Sequence, residues 1–270
     1  QPILEINITP DRGYAFSYRG VAREYHHSTG AKFVDPVTEL NKRAPAAPAV
    51  ESGVSSDIEV IVDDNNPIHG VTGCDRYVAR AIHGFDPTNH TPNWMRRRLI
   101  RAGMRSISLA VDVTNYVMLD LGQPMHAYDL DKIEGPIVVR RAAEGEKLTT
   151  LDGKEHDLSV EDLLITDSPD GKRGSRILGI AGVMGGLYGE VTADTKNILL
   201  EAAHFDSVSI ARSARRHKIP SEASRRFERG VDFSTTAEHL EYVTKLVLDI
   251  CGTPETKTGP VDDRILALPE

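Results

Sequence analysis

Hydrophobic spacing divides the chain into a helical lead-in, a middle of short alternating segments and a helical tail. Residues 3–8, Ile-Leu-Glu-Ile-Asn-Ile, predict a short strand stopped by Pro10-Asp11, and Ser17 to His27 predicts a helix closed by Gly30. From Asn41 to Ser56 alanine, proline and serine dominate, as in Arg43-Ala-Pro-Ala-Ala-Pro-Ala49, the composition of a linker. Ile58, Val60 and Val62 alternate as a half-buried strand, and Arg76 to Ile82 is a further strand candidate. Thr91-Pro92 marks a helix start, a capping residue before proline at the first helical position, with the helix running from Asn93 to Ala102 and ending at Gly103. Its Arg96, Arg97, Arg98 and Arg101 form a solvated face or a phosphate contact.

The stretch from Asp112 to Asp129 organises the rest. Val113, Val117 and Leu121 lie four apart, one face of a short helix, and Gly122 supplies a left-handed stop. Thr114 and Asn115 fall in the first turn of that helix, where free backbone N–H groups collect. Pro124 stiffens a turn that presents His126. A helix N-terminus carrying Thr-Asn and a turn carrying histidine can face one cleft from two sides. The same residues can equally be a helix cap and an ordinary hydrogen-bonded histidine, and spacing alone does not choose.

After His126 the period becomes two. Ile137 to Arg141, Lys147 to Leu151, Lys154 to Leu158 and Leu163 to Thr166 predict successive strands, punctuated by the turn pairs Glu144-Gly145, Asp152-Gly153 and Asp170-Gly171. Gly179-Ile-Ala-Gly-Val-Met-Gly-Gly186 comes next, and four glycines in this run let a backbone approach a ligand or make a tight bend. It lacks the Gly-Lys-Ser/Thr of a phosphate loop and the setting of a dinucleotide fingerprint. Asn197 to Ala203 reads as an apolar strand carrying Glu201, a carboxylate that is costly there unless something hydrogen-bonds it. Glu201 is either a structural partner for an arginine or a ligand-reading group. Asp206 predicts the cap of a helix through Arg216, a second short helix covers Glu222 to Glu228, and Ser234 caps a long helix ending at Gly252. Arg212, Arg215, Arg216, Lys218, Arg225, Arg226 and Arg229 make the 205–230 region locally basic, either a salt-bridged surface or a track for a nucleic-acid backbone.

Bulk properties narrow the class. The chain has 270 residues, 40% hydrophobic and 27% charged, enough for one large or two small domains of ordinary globular composition. A net charge of −8 argues against a nucleic-acid coat over the whole chain but leaves room for a local basic strip. Cys74 and Cys251 are too few and too far apart for a zinc site or a disulfide framework, which fits a reducing cytoplasm. No apolar run approaches a membrane span, and no signal peptide is visible. A start at Gln1 and an end at Leu266-Ala-Leu-Pro-Glu270 read as a piece of a longer protein.

Several motifs together resemble one family. Asp112-Val-Thr-Asn-Tyr116, Gln123-Pro-Met-His-Ala-Tyr-Asp129, Gly182-Val-Met-Gly-Gly186, Leu200-Glu-Ala-Ala203, Ala214-Arg-Arg-His217, Glu222-Ala-Ser224 and Arg226-Phe-Glu-Arg-Gly-Val-Asp232 occur in the order found in the B3/B4 editing domain of the bacterial phenylalanyl-tRNA synthetase β subunit, over roughly residues 75–252. The segment from Thr9 to Glu24 resembles the approach to that domain. The resemblance implies hydrolysis of tyrosine wrongly attached to tRNA(Phe). It places Glu201 at the tyrosine-sensing glutamate, and His126 at a pocket histidine that positions water or the terminal ribose. Arg105, Thr114 and Asn115 match residues holding the aminoacyl end and the terminal adenosine; Ala181, Gly182 and Gly185 match a glycine-rich wall, and Ser221 and Ala223 a rim. Ser221 stands where the family often has threonine, and Arg225 where it often has histidine. Arg212, Arg215, Arg216, Arg225 and Arg226 would guide the acceptor end.

The resulting expectation is an α+β fold, a central mostly antiparallel sheet flanked by helices. Residues 1–40 would lead in from a preceding domain, 41–72 form a linker and edge strand, 73–252 form the editing domain, and 253–270 start the next linker or domain. Editing would need no metal or cofactor. ATP and Mg2+ serve only the whole synthetase, whose α subunit joins the β subunit in an (αβ)2 assembly in the cytoplasm. Rival expectations are a non-catalytic RNA- or protein-binding module of the same fold, and a stand-alone deacylase.

Overall fold

A computed structural model of the chain describes residues 3–43 and 58–266, the side chains of residues 40–43 excepted. In chain order the elements are α1 (Tyr18–Thr29), α2 (Pro36–Arg43), β1 (Val60–Asp63), β2 (Cys74–His83), α3 (Asn93–Arg101), α4 (Leu109–Leu121), β3 (Met125–Asp129), β4 (Ile137–Arg141), β5 (Lys147–Thr149), β6 (Glu155–Asp157), β7 (Leu163–Asp167), β8 (Arg176–Ile180), β9 (Met184–Gly185), β10 (Ile198–Phe205), α5 (Ser207–His217), α6 (Glu222–Phe227), α7 (Thr236–Cys251), β11 (Lys257–Thr258) and β12 (Asp262–Ile265).

The α+β class is observed, with the strands divided among two five-stranded sheets and a two-stranded β5-β6 pair where one sheet was expected. The first runs β1-β4-β7-β8-β9, and the second β11-β2-β10-β3 with β12 also on β2. Every pair is antiparallel except β1 with β4. Period-two alternation explains the layering. One face of the second sheet turns Tyr77, Ala79, Tyr128, Leu199 and Ala203 toward Ile137, Val139, Leu163, Ile165 and Ile180 of the first. The other face turns Val78, Ile82, Leu200 and Ala202 toward Leu99, Val113, Val117, Leu240 and Val243 on α3, α4 and α7. Strands β2 and β10 are thus buried along most of their length, which suits the largely apolar run of β10, whereas β2 also buries two arginines held by ion pairs, Arg76 with Asp263 and Arg80 with Glu241. Helices α5 and α6 close one end of the inter-sheet core with Ile210, Ala214 and Phe227.

Local signals set most boundaries. Ser17 caps α1 by accepting from the Gly20 N–H, Gly30 ends it in the left-handed region, and Asp206 caps α5 by accepting from the Ser209 N–H. Gly122, at φ 85°, ends α4 as expected. Other expectations need correction. Residues 3–8 form no strand; Ile3, Leu4 and Ile6 are exposed, and no described strand pairs with them. Thr91 does not cap α3, because its hydroxyl donates to Asp112 Oδ2 at 2.6 Å and Pro92 takes the cap position. Thr235, not Ser234, precedes α7, since the Ser234 hydroxyl is drawn back to Asp232. Strand β8, bent over the glycine-rich run, was not anticipated. Residues 41–43 of the expected linker belong to α2, and 44–56 lie outside the described residues.

Candidate functional site

The site grows from Glu201, in the middle of β10 and 6% exposed. Register decides its surroundings. Directly opposite Glu201 stand Ala79 on β2 and His126 on β3, while the residues two before and two after it, Leu199 and Ala203, face Tyr128 and Tyr77. Both tyrosines are therefore diagonal neighbours on the same face. Their hydroxyls donate to one oxygen, Glu201 Oε2, at 2.8 Å from Tyr77 and 2.6 Å from Tyr128. The other oxygen, Oε1, has no hydrogen-bond partner among the described residues and is not sealed from solvent. Burial raises the carboxyl's pKa above its usual range, and the two phenols act against that rise. The same charge and burial push both tyrosine pKa values well up, so the phenols stay protonated donors.

His126 forms the next part of the wall. It lies on β3, an edge strand, rather than in the expected turn, and its ring meets Tyr128 edge-on with centroids 4.4 Å apart. Neither ring nitrogen has a partner among the described residues. Desolvation pushes its pKa down to about 4, so the imidazole is neutral at pH 7.

Opposite it runs the glycine-rich bend. Residues Ile180–Val183 form a turn closed by Val183 N–H to Ile180 O at 3.0 Å, with Gly182 at φ 65°, the conformation that selects glycine there. The Gly182 N–H makes no bond within the described protein. Gly185 has a separate reason: a Cβ on it would sit 2.8 Å from His126 Cε1, so only glycine leaves the ring its seat. These groups enclose a cavity of about 80 Å³, with Ile165, Ile180, Val183, Met184, Phe205 and Phe227 as its apolar walls.

Comparison with known families and proteins places the chain in one family. The B3/4 domain model matches residues 73–252. The chain belongs to the B3/4 domain family. It is 83% identical over 262 residues to the phenylalanine–tRNA ligase β subunit of Bifidobacterium longum, covering 97% of this chain and 30% of that one. It is 52% identical to the β subunit of Leifsonia xyli, over 96% of this chain and 29% of that one, and 52% identical to that of Streptomyces avermitilis, over 93% and 28%. The chain thus spans about 30% of the length of the curated relatives it matches.

Within this B3/4 domain the expected site residues separate into two groups. His126, Ala181, Gly182, Gly185, Glu201 and Ala223 all line the cavity. Thr114, Asn115, Arg105 and Ser221 do not. Helix α4 starts at Leu109 rather than Asp112, so Thr114 and Asn115 are past its first turn, and α4 packs its apolar side on the far face of the second sheet. The Thr114 hydroxyl is occupied, donating to Val111 O at 2.9 Å. Arg105 is exposed in the loop before α4. Ser221 caps α6, its hydroxyl accepting from the Ser224 N–H at 2.9 Å.

The expected basic track on α5 and α6 is largely neutralised. Arg212 pairs with Glu161 at 3.3 Å, Arg216 with Glu161 and with Asp162 at 2.5 Å, and Arg225 with Glu222 at 3.2 Å. Arg226 is buried, bonded to Glu222 and stacked 4.3 Å from the Phe16 ring centroid, which removes it from any phosphate contact. Arg215 alone of the five is exposed and without a partner among the described residues.

Sequence reasoning missed Tyr77 and Tyr128, the groups that hold Glu201. One signal was present: Tyr128 lies two residues after His126, hence on the same face of any strand through both.

Chemically, the B3/4 cavity offers apolar walls, an acceptor oxygen, a neutral imidazole and a free backbone donor, groups complementary to an apolar body that carries a hydroxyl and a carbonyl.

Proposed function

We propose that this cavity is a proofreading site, which hydrolyses tyrosine from misacylated tRNA(Phe) within a β subunit of phenylalanine–tRNA ligase. Partnership with an α subunit in an (αβ)2 assembly, and ATP-dependent attachment of phenylalanine by the whole enzyme, belong to the same proposal. The observation that carries it is the open Oε1 of Glu201 beside the unpartnered imidazole of His126.

The chemical need is plain. A hydrophobic synthetic pocket rejects an isostere bearing one extra hydroxyl only weakly, so a second site must remove the error. Here a tyrosyl phenol donates to Glu201 Oε1. Phenylalanine leaves that oxygen desolvated and unpaired, which costs about 1–3 kcal/mol. Water attacks the ester carbonyl carbon, the Gly182 N–H receives the developing oxyanion, and the C–O bond to the terminal ribose breaks. The water's proton ends on the ribose oxygen, giving free tyrosine and intact tRNA. With so low a pKa, His126 orients the water or ribose through hydrogen bonds and holds no extra proton at pH 7. An aminoacyl ester is already activated, so placement and electrostatics suffice without a metal or cofactor. Thr114 and Asn115 take no part in these steps.

The test is deacylation of tyrosyl- and phenylalanyl-tRNA(Phe) by the assembled synthetase. The parent should release tyrosine preferentially, Glu201→Ala should shrink that preference by roughly 5- to 150-fold, and His126→Ala should slow release of both. No deacylation above background by the parent would leave the domain as a binding module and end the proposal.

A further inference from the structure

We infer that the outer face of α3 is a docking surface for an RNA backbone, with Trp94 as its stacking platform. This concerns binding only and stands whether or not the cavity hydrolyses an ester.

Charge is the first support. Between Asp86 and Asp112 the chain carries Arg96, Arg97, Arg98, Arg101 and Arg105 and no acidic residue, in a protein of net charge −8. The two flanking carboxylates are occupied: Asp86 accepts from Thr88, and Asp112 from Thr91, Ser106 and the Ile107 N–H. Arg96, Arg97, Arg101 and Arg105 are exposed and make no hydrogen bond or ion pair with any described residue. This is the reverse of α5 and α6, where Arg212, Arg216, Arg225 and Arg226 are paired and only Arg215 has no partner among the described residues. Met95 and Leu99 bury the inner side of α3, which turns Arg97 and Arg101, one turn apart, outward together. Like charges so placed repel, and nothing described in the fold compensates them.

The aromatic component is independent. Trp94 precedes Arg97 by one turn and is 45% exposed. Its indole is held edge-on by Tyr116, centroids 5.2 Å apart, and by the Arg98 guanidinium, 5.5 Å from its centroid. Arg98 is itself fixed, donating to the Tyr116 hydroxyl at 2.5 Å. A pre-positioned, half-exposed indole among unpaired guanidiniums matches what an unpaired base and its flanking phosphates require. An acidic protein face would meet the same charges and also bury an indole, so an acidic peptide is one arm of the experiment below.

Trp94 is the chain's single tryptophan, so its emission reports this surface directly. The experiment titrates the chain with a short fluorescein-labelled single-stranded RNA of mixed sequence, following RNA anisotropy and Trp94 emission together. Both should move with one midpoint. The double variant Arg97→Gln/Arg101→Gln should bind at least tenfold more weakly at about 50 mM salt and flatten the salt dependence by roughly 1.4 in log–log slope, about 0.7 for each lost phosphate contact. Arg212→Gln/Arg225→Gln should bind like the parent. Unchanged affinity in the α3 variant overturns the inference, as does RNA binding that leaves Trp94 emission unaltered. The absence of RNA binding at low salt overturns it too, as would a polyglutamate peptide quenching Trp94 as strongly as RNA. The Trp94 response of the parent is decisive even if a variant misfolds.

Discussion

Tyr128→Phe isolates a single hydroxyl at the heart of the cavity. The ring stays, and with it the edge-on contact to His126; what disappears is the 2.6 Å bond to Glu201 Oε2. A hydrogen bond to a charged group contributes about 1.5–3 kcal/mol, and one to a neutral group about 1 kcal/mol. The loss should therefore depend on whether Glu201 is ionised. Burial raises its pKa in the folded state, so the folded protein holds that proton more tightly than the unfolded chain. The carboxyl's contribution to stability is then fully present below the unfolded pKa and is lost as pH rises through the folded one. Tyr128 limits that loss by donating to the charged form, and removing it enlarges the loss. Urea unfolding of parent and variant from pH 5 to pH 8.5 should give a difference that grows with pH, from about 1 kcal/mol where Glu201 is neutral toward about 2 kcal/mol where it is charged. The larger figure corresponds to roughly 4–8 °C in Tm. A difference that stays flat or shrinks with rising pH would refute the ionised, phenol-clamped Glu201.

Two further outcomes rest on the same geometry and on a second buried histidine. Gly185→Ala sets a methyl 2.8 Å from His126 Cε1 and 3.2 Å from Leu151 Cδ1, so the ring should be displaced into the cavity at a stability cost of about 1–2 kcal/mol; a crystal structure showing the imidazole unmoved, with tyrosine release intact, would contradict this. His239 is fully buried with neither ring nitrogen bonded, and its pKa is pushed down to about 4 by desolvation, with Arg19 adding to the effect. Depression below the unfolded value means stability is full above about pH 6.5 and falls as the pH drops toward 4, by roughly 2 kcal/mol at pH 5. His239→Leu should flatten the stability profile in that window, which denaturant melts across pH 7 to pH 4.5 would detect.

How much of this was legible beforehand depended on how local each cause was. Asp206, Ser17, Gly30 and Gly122 act through bonds or dihedrals within a few residues, and each set its helix end as its residue type predicts. Thr91 and Ser234 have equally suitable side chains, yet carboxylates captured their hydroxyls, the sequence-distant Asp112 for Thr91 and the near neighbour Asp232 for Ser234. A preference worth about 1 kcal/mol is easily overridden by a charge-assisted bond. The arginines divide in the same way. Sequence alone favours the 205–230 region as the basic track over the α3 arginines, but it does not show that Glu161 and Asp162 fold onto the former while no described carboxylate pairs with the latter.

By itself, the sequence determined most of the helices and several of the strands, that the chain is α+β, and, through ordered motifs, which family it resembles; it placed a strand over residues 3–8 that does not form and missed β3 and β8. Periodicity and caps are short-range, and motifs survive without coordinates. Only the tertiary structure decided that Glu201 faces His126 and lies between Tyr77 and Tyr128. It also decided that Thr114 and Asn115 fall outside the cavity and that Arg226 is buried. The surroundings of Glu201 rest on the register of β10 between β2 and β3. A one-residue slip there would turn Glu201 to the opposite face, and that register is set by burying both faces of the sheet at once rather than by any residue's own neighbours.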